Sequence, residues 1–241
     1  EFLLDPRLDT ESIVKEEWLR TWYELPKIER GRVHVIGVDL AFSTGPHADY
    51  TAIVPVEVFW TDDGFEIYIL PEIINARLKP LDSKDKVISI ASALSLNQRN
   101  RARVFIEDMG AQRIYVDEWN HEGCYAEGIS LRGMSKQERM AIAAQYLQKG
   151  VIYFPVHGAE LLKKQILGLG IERHDDLADA FTTLVLGVRD MSPPSRFSLG
   201  ELNGMYDKEK NYSDEDRKFF FPDHSDDDRG SFGKDILTMQ F

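Results

Sequence analysis

Three β-patterned runs follow one another with no helical stretch between them: RVHVIGVDLAF from Arg32, YTAIVPVEVFW from Tyr50 and FEIYILPEI from Phe65. The last two are joined by Thr61-Asp62-Asp63-Gly64, and Asp-Gly between β-patterned runs is a strong short-range hairpin signal. The first run is rich in β-branched residues and apolar on both of its alternating faces, the mark of a central strand covered on both sides. Three consecutive antiparallel strands are the expected nucleus, and whatever follows must pack on them.

After Pro80 the periodicity changes from two to nearly four. Val87, Ile88, Ala91 and Leu94 sit at helical intervals, with Asp82 or Ser83 available as cap. A short strand RVFIE then stops at Glu107, and a helix is expected from about Ala111 to His121, ending at Gly123. A strand-like YAEGISL comes next. Ser135 and Glu138 have capping-box spacing ahead of a helix that closes on Gly150. A strand VIYFP, a helix near Ala159 to Leu169 and a last helix starting inside HDDLADAF and reaching Arg189 complete the pattern. The fold class expected is α/β, a mixed sheet with helices on its faces. At the front, Ile13, Trp18 and Trp22 predict an amphipathic helix between Thr10 and Tyr23, stopped by Pro26. From Met191 the chain is polar and acidic and predicts a loosely ordered tail, with Phe219 to Phe221 as one apolar docking point.

HDDLADAF places three aspartates in five positions directly before the apolar run TTLVLGV. Uncompensated carboxylates beside a buried helix cost several kcal/mol each, on the order of a whole domain's margin, so a positive partner is required. Asp176 and Asp179 are three apart and share a helix face, whereas Asp175 points elsewhere and can cap the N-terminus. Asp39 ends the first strand and Glu107 the fourth, at the carboxyl edge where open α/β sheets place their sites. Asp39, Glu107, Asp176 and Asp179 form a set of hard oxygen ligands, suited to Mg²⁺ or Mn²⁺. Two such ions about 4 Å apart support in-line phosphodiester hydrolysis with no side-chain nucleophile. Taken singly, Asp39 reads equally as a turn residue, Glu107 competes with Asp108 for the inward position, and HDDLADA alone can be an acidic helix start.

Weaker candidates surround this set. His174, His47 and Asp49 are near it in sequence, and Arg99, Arg101, Arg103, Lys163 and Lys164 are the best local cations for a DNA backbone. The four tryptophans read as packing residues. The formal net charge of −12 excludes a surface basic all over, without excluding nucleic acid, because a bound divalent ion reverses the local field. The single cysteine, Cys124, rules out an intrachain disulfide and a Cys-based zinc site, and makes a reducing intracellular setting the expectation. No apolar run approaches the roughly 20 residues of a membrane span. No G-x-S-x-G supports covalent catalysis, and no G-x-x-x-x-G-K-[ST] supports an ATP-driven motor.

The order βββαβαβα resembles the ribonuclease H-like arrangement. Within it, VIGVDLAFSTGPHADYTAIV, VFIEDMGAQ and HDDLADAF resemble the three acidic motifs of the nuclease domain in large terminase subunits of tailed bacteriophages. EEWLRTWYELP is similar to the segment joining their packaging ATPase to that nuclease. The resemblance covers about residues 10 to 190. It implies residues 1–30 as a linker from a preceding ATPase domain, 31–190 as the nuclease and 191–241 as tail. It also implies a Mg²⁺- or Mn²⁺-dependent endonuclease with two ions, cutting concatemeric double-stranded DNA in the host cytoplasm, with the small terminase subunit and the portal protein as partners. By position Asp39 takes the first-strand aspartate role, Glu107 the second acid, and Asp176 or Asp179 the helix acid.

Two further classes compete. A resolvase-like, structure-specific nuclease has the same fold, and sugar-kinase or actin-like ATPases share an opening G-x-D strand but need glycine-rich phosphate loops that are missing here. A non-catalytic portal or capsid docking module would use the acidic tail and would be indifferent to loss of Asp39.

Overall fold

Alternation in the first β-patterned run decides which element lies on which face of the sheet. In the computed structural model, which describes residues 12–27, 32–41, 50–61, 63–95, 101–108, 112–131, 133–169 and 174–191, this run is β2 (Arg32–Asp39). It pairs antiparallel with β3 (Thr51–Thr61), which pairs antiparallel with β4 (Gly64–Ile69). On its other side β2 runs parallel to β6 (Arg103–Glu107), and β6 runs parallel to β7 (Tyr125–Ile129). With β8 (Ile152–Pro155) beside β4, and β1 (Arg20–Trp22) at the edge, the strand order is β1-β8-β4-β3-β2-β6-β7. A three-residue strand, β5 (Ile74–Ala76), pairs with the start of β3. The expected mixed sheet with flanking helices is what the chain builds.

Two cores cover the two faces. Val33, Val35, Val54, Val56 and Phe105 face α3 (Lys136–Lys149), α4 (Glu160–Leu167) and α5 (Asp176–Asp190). Ile36, Val38, Ile53, Val104 and Ile106 face α1 (Pro80–Leu94) and α2 (Gln112–His121), with Trp119 wholly buried among them. Helix α5 is buried from Asp176 to Val188, on every side. A helix enclosed in this way must be apolar all round or have its polar groups answered inside, so the acids of its first turn need partners in the interior.

The N-terminal segment departs from expectation. The amphipathic helix predicted between Thr10 and Tyr23 is, in the described part, a single 3₁₀ turn at Glu16–Trp18 followed by β1, which pairs parallel with β8. Trp22, expected on a helical face, instead donates its indole N–H to the carbonyl of Ile69 at 2.9 Å. Edge pairing overrides the weak helical period here, as tertiary context does for short segments. The acidic tail, with its Phe219 to Phe221 docking point, lies outside the described residues.

Candidate active site

Glycine at position 37 lets α5 lie directly on β2. A methyl group built there would come within 2.5 Å of the Ala180 carbonyl and 2.6 Å of Leu184 Cβ, neither of which can step aside cheaply. One turn further along, Gly187 meets the ring of Phe105 on β6 in the same fashion. These close approaches seat the first turn of α5 over the carboxyl ends of β2 and β6. Two residues after Gly37 and Phe105, on the same face by strand alternation, come Asp39 and Glu107. They follow directly on the paired residues Val38 and Ile106 of neighbouring parallel strands. Asp108, the alternative to Glu107, sits over Gly128 instead.

The four acids read from the sequence therefore share one neighbourhood. The carboxyl of Asp39 is pushed up to about 8, first by burial and then by the negative charges of Asp179, Asp176 and Glu107, with Lys136 opposing. Burial also raises Asp179, against the pull of Lys136 and Arg139. Asp176 accepts the backbone N–H of Tyr50 at 3.2 Å.

Two cations missed in the sequence enter from α3. Lys136 Nζ lies 2.7 Å from each oxygen of Asp175 and 2.6 Å from Asp179 Oδ2. Arg139, buried, spans Glu107 Oε2 at 3.4 Å and Asp179 Oδ1 at 3.3 Å. The capping box of Ser135 and Glu138 fixes the turn that carries them. A signal was present: a lysine at the first position of a helix meets the positive end of the macrodipole and needs an acid to be stable there.

Asp175 is at the N-cap position of α5 yet makes no capping bond, because Lys136 takes its carboxylate. The expected cap is supplied by Gln165 of α4, whose buried amide oxygen accepts the N–H groups of Leu177 at 2.8 Å and Ala178 at 3.3 Å. A capping group twelve residues upstream has no signature in local spacing.

The flank is aromatic and basic. His174 stands edge-on to Tyr50 with centroids 5.0 Å apart, and the Arg77 guanidinium lies 4.7 Å above the Tyr50 ring. Of the cations proposed for DNA from the sequence, Arg101 and Arg103 lie at the other end of the strands. Arg103 begins β6, four residues and roughly 13 Å before Glu107, stacks on Tyr125 and pairs with Glu127. Arg101 lies near the same far end, and Lys163 covers the ring of Phe154. His47, Asp49 and Arg99 lie outside the described residues.

Oxygen donors of this kind and number suit a hard divalent cation. Among the described residues, however, no three His, Cys, Asp or Glu side chains are placed to hold an ion as they stand. Lys136 and Arg139 hold the carboxylate oxygens instead. The donor chemistry fits a divalent metal, and the arrangement is one in which amino-acid cations stand among the donors.

No family model and no curated protein matches the chain. Solved structures do match. A human cytomegalovirus terminase nuclease domain, manganese-soaked with an inhibitor bound, aligns with a TM-score of 0.53 at 15% identity, over 74% of this chain and 96% of that one. The Thermus phage P74-26 large terminase nuclease domain aligns at 0.49 and 15% identity, over 78% and 100%. The large terminase nuclease of thermophilic phage G20c with bound magnesium gives 0.49 and 14%, over 75% and 98%. The fold of this chain is that of a terminase nuclease domain.

Proposed function

We propose that the chain is a divalent-metal-dependent endonuclease of a viral DNA-packaging terminase, cutting concatemeric double-stranded DNA by phosphodiester hydrolysis. One observation carries the proposal: Asp39, Glu107, Asp176 and Asp179, from two strand ends and one helix, crowd closely enough that the charges of three of them add to burial in holding the fourth, Asp39, above the usual carboxylate range. Such crowding is unfavourable in a folded protein unless positive charge is supplied, and functional sites are where it is found.

Asp39 and Glu107 would hold Mg²⁺ or Mn²⁺ from the sheet, with Asp179 and Asp176 from α5. Bound there as a pair, such ions would supply Lewis-acid activation of a water and charge neutralisation on the departing oxygen. The chain's own contributions are positional. Gly37 and Gly187 fix α5 against the strand ends, Tyr50 orients Asp176 through its backbone N–H, and Arg139 ties Glu107 to Asp179. Arg77, stacked on the Tyr50 ring whose backbone N–H meets Asp176, would offer a guanidinium to a DNA phosphate. The small terminase subunit, the portal protein and a location in the host cytoplasm follow from the same reading. No described helix is long and apolar enough to cross a membrane.

Supercoiled plasmid incubated with the protein and Mn²⁺ should be nicked and linearised, and EDTA should stop it. Asp39→Ala should abolish cleavage with circular dichroism unchanged. Cleavage retained by an Asp39→Ala, Glu107→Ala variant would overturn the assignment and leave the non-catalytic docking module as the better account.

A further inference from the structure

The two cations that α3 directs into the acids differ in their freedom. The Arg139 side chain is 7% exposed, always charged, and bridges Glu107 and Asp179 from the interior. The Lys136 side chain is 44% exposed and stands at the mouth, gripping both oxygens of Asp175 and one of Asp179. Its charge extends to Asp39 as well. A lysine has a long flexible stem and a single-point charge, so leaving this position takes only a rotation toward solvent. Arg139 has no such route.

Asp179 Oδ2 is the oxygen at issue. An ammonium 2.6 Å from it occupies the space in which an ion held by Asp179 would lie, and two positive charges a few ångströms apart repel strongly in a site screened by protein. Among the described residues no three acids are placed to hold an ion as they stand, so loading the site needs side chains to move.

We propose that Lys136 is an exchangeable internal cation: it neutralises Asp175 and Asp179 when no metal is bound, and competes with the divalent ion for Asp179. The inference rests on the metal-dependent reading above and adds a determinant of metal affinity outside the acid set. Lys136 then tunes the concentration at which the site loads, while Arg139 keeps the acids in register throughout.

Titration calorimetry with Mn²⁺ alone, without DNA, tests this on the full chain. Lys136→Met should bind Mn²⁺ more tightly than the wild type, by on the order of tenfold. It should also melt lower without metal and show the larger rise in melting temperature when Mn²⁺ is added. Asp179→Asn should weaken binding in both backgrounds. Equal or weaker binding by a folded Lys136→Met protein would overturn the proposal while leaving the nuclease reading intact. Lys136→Gln serves as the check should the methionine variant fail to fold. Absence of Mn²⁺ binding in the wild type and both Lys136 variants would overturn the exchange and the metal-dependent reading together, whereas binding gained only on removal of Lys136 would support the exchange.

Discussion

Gly37 lies against the carbonyl oxygen of Ala180, so that the strand ending in Asp39 and the helix carrying Asp179 touch backbone to backbone. Gly37→Ala must push α5 off the sheet. Overpacking of this kind costs about 1–3 kcal/mol, and the displaced acids should lower plasmid cleavage more than stability alone explains. Urea denaturation and a cleavage assay at matched folded fraction measure the two effects.

Asp39 is the most crowded carboxyl of the four. Asp39→Asn keeps the shape and removes a carboxyl whose burial and acidic neighbours oppose its ionisation, so that it must take up a proton on folding near neutral pH; the metal-free protein should melt a few degrees higher. The same change should lower Mn²⁺-dependent cleavage at least about a hundredfold, the scale of losing an interaction made in the transition state. A lower melting temperature would mean that Asp39 answers a structural need the geometry does not show.

Away from the site, Arg32 and His34 on β2 meet Glu57 on β3 at 2.6 and 3.0 Å inside the protein. Burial raises the Glu57 carboxyl, but the bonds and charges of His34 and Arg32 outweigh it and leave the group below its ordinary value of 4.5. A lowered carboxyl stabilises the fold above its unfolded value, and that contribution is lost as pH falls through the lowered one. Stability measured by denaturation should therefore drop below about pH 4.5, and Glu57→Gln should flatten that drop while costing on the order of 1 kcal/mol at neutral pH.

If Arg77 meets a phosphate, Arg77→Ala should weaken DNA binding for every sequence alike. The slope of log affinity against log salt should fall by about one. Tyr50→Leu, which removes the ring under the guanidinium, should produce a smaller loss in the same direction. Fluorescence anisotropy in EDTA separates both effects from cleavage, and an unchanged slope in Arg77→Ala would place the phosphate contact elsewhere.

The three antiparallel strands, the mixed sheet and the placing of the four acids on two strand ends and one helix were legible in the sequence because each rests on a local pattern: the apolar strand ending at Asp39, the stop at Glu107, the three-residue spacing of Asp176 and Asp179. The hairpin at Gly64 and the Ser135 capping box were legible for the same reason. What escaped depended on distance along the chain. Gln165 caps α5 at Leu177, twelve residues ahead, Lys136 answers Asp175 from thirty-nine residues away, and β1 joins the edge through β8 rather than through any neighbour in sequence. Composition carries no direction, so it did not show at which end of the strands Arg101 and Arg103 lie. Strand β6 points Glu107 at the site and leaves Arg103 at the opposite end.

The enclosure of α5 has a consequence for divergence. Among the described residues, several groups that seat its acids against Asp39 lie in the interior: two glycines, a phenylalanine ring and a buried arginine. Many exterior residues can turn over without moving these contacts, while a single added methyl in the interior is felt. A chain of this kind can stand at 15% identity to a solved structure and still share its fold through what it keeps hidden.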